Sequence, residues 1–126
     1  MGTGTPLGRV RGLGSAKEGT HHWWRHRVTA GSNLFLMLWL MVSILSRGSF
    51  DYASLRLWMQ SAWVAVPMAL LVISVFTHFR LGLQVVIEDY QHNETRVVFL
   101  ILLNFFTVGL GATALFAIAK IAFGAK

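Results

Sequence analysis

The chain has 126 residues, a length that suggests one compact domain. Composition excludes the soluble version: 55% of residues are hydrophobic and only 13% are charged, against roughly 25% charged in an average soluble domain. A small domain needs more polar surface than that. The net charge of +6 comes from eleven Lys and Arg against five Asp and Glu, and the absence of cysteine excludes disulfides, zinc thiolate sites and iron–sulfur ligation by this chain.

Residues 1–20 are glycine-rich, carry Arg9, Arg11 and Lys17, and show no hydrophobic periodicity. They read as a flexible basic N-terminal arm. Gly12-Leu13-Gly14 is not a nucleotide loop, since no strand precedes it and no Gly-Lys-Ser/Thr follows. A secretory signal is not expected either, because the first apolar segment starts late and lacks a small-residue cleavage site. Then comes His21-His22-Trp23-Trp24-Arg25-His26-Arg27. This cluster reads as a snorkelling basic and aromatic interface, or as an anion cradle, for which Arg supplies paired parallel donors.

Three apolar runs follow, over residues 28–46, 62–87 and 97–123. Each is long enough to cross a hydrocarbon core of about 30 Å, which takes about 20 helical residues. Helices are the spanning form that fits uninterrupted runs of this kind. The fold class is therefore an all-α integral membrane protein with three transmembrane helices, the three-helix domain covering residues 21–126. Pro67 falls in the first turns of the second helix, where it is tolerated or kinks the helix modestly. Gly109, Gly111, Ala112 and Ala114 allow close approach of another helix to the third.

Arg9, Arg11, Lys17, Arg25 and Arg27 all precede the first run, and Arg96 lies in the second loop. This bias places the N-terminus inside and the C-terminus outside. It also makes the basic charge a topology signal rather than a nucleic-acid face. Trp23 and Trp24 then mark the inner interface, and Trp58 and Trp63 the outer one. Leu55, Trp58 and Met59 have the spacing of a short helix lying along the outer surface.

The chemistry concentrates in the second helix. His78 lies about nine residues from its inner end, on the order of 14 Å deep, where an ionisable group is costly. At about 100° per residue, Leu71, Ser74, His78, Gly82, Val85 and Asp89 share one narrow stripe. This puts a candidate axial ligand one turn from a residue without a side chain, as a flat macrocycle requires. A neutral histidine bonded to a neighbouring helix fits the same pattern. Arg80 points about 200° away from His78, toward the inner interface or a partner helix. In the inner loop Glu88 and Glu94 read as a solvated turn. Asp89 and Tyr90 sit at the hydrocarbon boundary, where a phenol is a neutral proton donor and a neighbouring carboxylate can relay protons.

The run His78-Phe79-Arg80-Leu81-Gly82-Leu83-Gln84-Val85-Val86-Ile87-Glu88-Asp89-Tyr90 resembles the second-helix signature of the hydrophobic membrane anchor of succinate dehydrogenase (respiratory complex II): a His, a Gly four residues on, and Asp-Tyr eleven and twelve residues on. His21 to Ala30, with Arg27-Val28-Thr29-Ala30 opening the first helix, resembles the alphaproteobacterial and mitochondrial members of that family. The similarity covers residues 9–124.

The resemblance implies a membrane anchor domain in succinate:ubiquinone oxidoreductase. His78 would be one axial ligand of the iron of a haem b, the other coming from a companion membrane anchor subunit. Tyr90 would hydrogen-bond a ubiquinone carbonyl, with Asp89 supporting its protonation, and Arg27 and His21 would lie near the haem propionates. Ser74 or a backbone carbonyl would accept a hydrogen bond from the ligand imidazole. Flavin and iron–sulfur clusters would belong to the flavoprotein and iron–sulfur subunits. The location implied is the bacterial inner membrane, or the mitochondrial inner membrane if the chain is organellar. Two other functions remain open on the residues alone: a cofactor-free structural or assembly membrane protein, and a small proton-coupled transporter subunit using His78 and Asp89.

Overall fold

The computed structural model describes residues 5–11 and 18–124. The Gly12-Leu13-Gly14 stretch, Lys17 and Lys126 lie outside them. The elements, in chain order, are α1 (Pro6–Arg11), α2 (Glu18–Leu45), α3 (Tyr52–Gln60), α4 (Ala62–Tyr90) and α5 (Asn93–Phe123). The described chain is all helical.

Two elements differ from the sequence expectation. Thr5 and Pro6 start α1 within a segment without periodicity: the Thr5 hydroxyl accepts from the Gly8 N–H at 3.1 Å, and proline suits the first helical position. The first long helix begins at Glu18 rather than near residue 28. The basic and aromatic cluster is thus helical and continuous with the membrane span. Apolarity marks only the part of a helix that meets lipid, so the interfacial turns carry no signal.

Three helices are long and apolar enough to cross a membrane: Gly19–Leu45, Ala62–Tyr90 and Asn93–Phe123, of 27, 29 and 31 residues. At 1.5 Å per residue they run roughly 40–47 Å, so their ends extend beyond a core of about 30 Å. Their outward faces are apolar: Phe35, Phe105 and Trp63 are all exposed. Lipid is the solvent for such side chains, and the chain is a multi-pass membrane protein.

α4 is the central helix, packed against both α2 and α5, while α2 and α5 make no direct contact among the described residues. The buried positions on α4 are Val64, Ala65, Leu71, Ser74 and Leu81. Those on α5 are Leu103, Thr107, Gly111 and Ile118. Gly111 lies against the Phe76 ring, where an added Cβ would sit 3.7 Å from the nearest ring atom. Gly109 faces open space instead. Of the small residues in this stretch, Gly111 is the one that brings α5 against α4. Pro67 lies inside α4 without ending it.

The connections are short. Ser61 closes α3 and opens α4: its N–H donates to the Trp58 carbonyl at 3.2 Å, and its own carbonyl accepts from Val64 and Ala65 at 2.9 Å each. Asp51 caps α3 by accepting from the Ser54 N–H at 3.0 Å. Hydrogen bonds from the Ser49 hydroxyl, then from Ser54, hold the Asp51 carboxyl well below the usual carboxylate range. Arg47 lies 4.9 Å over the Trp58 ring and joins the end of α2 to α3. Between α4 and α5, Asn93 takes a left-handed φ of 60°, which asparagine tolerates better than most residues.

Candidate functional site: an intramembrane histidine between two helices

His22, His26, Thr29 and Asn33 recur every three or four residues on α2, and all are partly buried. They form the face that meets α4. Ser74 of α4 donates its hydroxyl to the Thr29 carbonyl at 3.3 Å. One turn further along α4, His78 places Nδ1 3.0 Å from the Thr29 hydroxyl oxygen.

The direction of that contact follows from counting protons. A threonine hydroxyl has one hydrogen to give. The Thr29 hydroxyl donates into its own helix, toward the carbonyls of Arg25 at 2.9 Å and His26 at 3.1 Å. With that hydrogen kept on its own helix, the lone pairs accept and His78 Nδ1 is the protonated nitrogen. This leaves Nε2 as the ring nitrogen with a free lone pair, and no hydrogen bond to it is found among the described residues.

A second histidine completes the site. The His26 ring stacks on the His78 ring with centroids 4.3 Å apart and planes 30° apart. His22 stacks more loosely on His26, at 6.4 Å. Beside His78, a Cβ on Gly82 would meet nothing within 4 Å. An imidazole with Nδ1–H bonded, Nε2 free and open space one turn away fits the donor set that a haem iron takes from a protein.

The serine expected to orient the imidazole does not do so. Ser74 is committed to the Thr29 backbone, and Thr29 from the other helix takes that role. His26 lies in the basic and aromatic cluster and Thr29 in the run that opens the first apolar segment, but neither is marked in the sequence as a neighbour of His78. The signal that would pair them is their three-residue spacing on one face of α2.

The remaining candidates spread over the end of the bundle that holds the start of α2 and the end of α4. His21 lines a groove of about 490 Å³ there, together with His22, Arg25, Arg80, Gln84 and Glu88. Arg27 does not join them: its guanidinium lies 5.3 Å over the Trp23 ring. Arg80 turns toward α5 and donates from Nε to Asn104 Oδ1, so the partner helix it meets is in its own chain. Glu88 is more than a solvated turn residue, since Gln84 donates to it at 3.0 Å and Arg96 pairs with it at 3.6 Å. Asp89 and Tyr90 are exposed at the end of α4, Tyr90 by 78%. α4 runs without interruption from His78 to Tyr90, about 18 Å along its axis.

Fold and site together define a three-helix membrane protein whose central helix carries a histidine held from a neighbouring helix. Comparison with known proteins narrows this class. The chain belongs to the succinate dehydrogenase/fumarate reductase transmembrane subunit family, which it matches over residues 1–113. It is 33% identical over 102 residues to the succinate dehydrogenase hydrophobic membrane anchor subunit of Rickettsia bellii (strain RML369-C), covering 79% of this chain and 81% of that one. It is 31% identical over 121 residues to the protein of the same name from Paracoccus denitrificans, covering 96% and 94%. No solved structure gives a significant match.

Proposed function

We propose that this chain is a membrane anchor of succinate:ubiquinone oxidoreductase, in which His78 Nε2 is one axial ligand of a haem b and Tyr90 and Asp89 form part of the ubiquinone reduction site. The observation that carries the haem assignment is the 3.0 Å contact between His78 Nδ1 and Thr29 inside the membrane span. A contact of this kind holds the ring orientation and, with Nδ1 donating, the tautomer that a metal-bound histidine needs. When bound, the haem supplies one-electron redox chemistry within the anchor.

The chain's own residues do the rest. Stacking by His26 limits rotation of the His78 ring. The single deep histidine calls for its counterpart on a companion membrane anchor subunit, with the face near Gly82 left open for approach. Arg27 and His21, on the first turns of α2, are the residues proposed near the haem propionates. At the end of α4, the exposed Tyr90 hydroxyl is a neutral donor for a quinone carbonyl arriving from the lipid. Asp89, beside it, hands on protons from the aqueous side. Electrons arrive from the flavoprotein and iron–sulfur subunits, docked on the face where α2 begins and α4 ends. That face is the inner one, with the C-terminus outside, in a bacterial inner membrane or a mitochondrial inner membrane.

A purely structural histidine would make the same contact to Thr29. Haem content separates the two readings. His78→Ala in the purified complex is expected to lower haem retention or alter its spectrum, while an unchanged low-spin spectrum would leave His78 as a structural residue.

A further inference from the structure

We infer that the groove between the start of α2 and the end of α4 binds the phosphate of an anionic phospholipid, held by Arg25, Arg80 and His22. Each of these side chains lines the groove. His22 Nε2 is buried without a hydrogen-bond partner among the described residues, and a buried polar atom of this kind calls for one. The Arg25 guanidinium makes no ion pair among the described residues, and Arg80 is fixed to α5 through Nε and Asn104. The one acid in the lining, Glu88, already meets Arg96 and Gln84, so the free charge facing the groove is positive.

A guanidinium pair suits a phosphate diester because each can donate two parallel hydrogen bonds. Leu81 and Val85 add an apolar floor beside these cations. The groove is larger than a lone phosphate requires, and Val85 in its lining is an exposed apolar residue of α4, which suits a headgroup whose chains run along that helix. Basic pockets between transmembrane helices hold acidic lipid headgroups in this way.

Arg25, Arg80 and His22 are not among the residues proposed for the haem propionates or the quinone. Arg80 and Gln84 lie two residues, about 200° of helical turn, beyond His78 and Gly82. His21, proposed near the haem propionates, lines the same groove. A haem carboxylate is the competing oxyanion, so the experiment reads haem as well as lipid.

The test uses the intact complex, purified as wild type, Arg25→Gln, Arg80→Gln, the double variant and the charge-keeping Arg25→Lys. Each is reconstituted in vesicles of phosphatidylcholine alone or with phosphatidylglycerol, and bound lipid, haem content and thermal midpoint are measured. Wild type should retain phosphatidylglycerol through detergent washing and melt higher in its presence, and Arg25→Lys, which keeps the charge but not the paired donors, should fall between wild type and Arg25→Gln. The double variant loses two charge-assisted contacts and should retain it about tenfold less or worse, with haem content and the midpoint in phosphatidylcholine unchanged. Retention of phosphatidylglycerol by the double variant would overturn the proposal. So would replacement of the lipid effect by inorganic phosphate, or loss of haem in step with lipid, which would assign the groove to haem carboxylates.

Discussion

Thr29 and His78 meet across the α2–α4 interface, hydroxyl oxygen to Nδ1 at 3.0 Å, and the threonine proton is already committed to its own helix. A β-branched residue of α2 thus holds the ring of a histidine on α4. The residue that orients the candidate ligand lies 49 positions away in the chain.

Thr29→Val keeps the shape of the side chain and removes the acceptor. Leaving Nδ1–H unsatisfied costs about 1–3 kcal/mol at a partly buried site, and the imidazole gains freedom to turn. Electron paramagnetic resonance of the oxidised complex should show altered low-spin haem signals, with Thr29→Ser restoring them. Identical spectra in wild type and Thr29→Val would remove Thr29 from the site.

Ser74→Ala is the matched control one turn away. It deletes the hydrogen bond to the Thr29 carbonyl but does not touch the imidazole. Interhelical hydrogen bonds within membranes average about 0.6 kcal/mol, so a slight loss of thermal stability with a normal haem spectrum is expected. A haem defect as large as that of Thr29→Val would show that the serine, not the threonine, orients His78.

The spans, their order and the importance of His78 are legible in the sequence because lipid demands long apolar runs and makes an intramembrane histidine conspicuous. The rotation of each helix is not. Residues such as Leu81 and Phe79 are equally apolar whether they face a helix or lipid, so the pattern does not reveal that α2 turns His26 and Thr29 toward His78. Arg80 and Asn104 illustrate the same limit, since their pairing depends on the packing of α5 and not on any spacing within α4. Glu88 reads as solvated in the sequence because Arg96, its partner, lies across the turn on the next helix.

Asp51 gives a pH dependence at the other end of the bundle. Its folded-state pKa is depressed, chiefly by the hydrogen bond from Ser49. A depressed carboxylate pKa contributes stability that is present above the unfolded value of about 4 and is lost as pH falls toward the folded value. Hydrogen exchange across α3 should accelerate below about pH 4 in wild type and be fast at neutral pH in Asp51→Ala. Unchanged protection of Ser54 and Leu55 in the variant would rule out the cap as the anchor of α3.

Tyr90→Phe separates quinone chemistry from haem binding, because Tyr90 lies about 18 Å along α4 from His78. The variant keeps the ring and removes the donor. Succinate-driven ubiquinone reduction should fall steeply, while haem content and succinate oxidation with an artificial acceptor stay near wild type. Asp89→Asn should act in the same direction. Intact quinone reduction in Tyr90→Phe would place the site elsewhere.

The most direct test of the central claim is the haem content of the purified complex carrying His78→Ala, measured by reduced-minus-oxidised difference spectra beside wild type and Ser74→Ala. Loss of one of two axial protein ligands predicts depleted haem or a shifted, no longer low-spin spectrum in His78→Ala, with Ser74→Ala near wild type. A full complement of haem with the wild-type low-spin spectrum in His78→Ala would contradict the assignment.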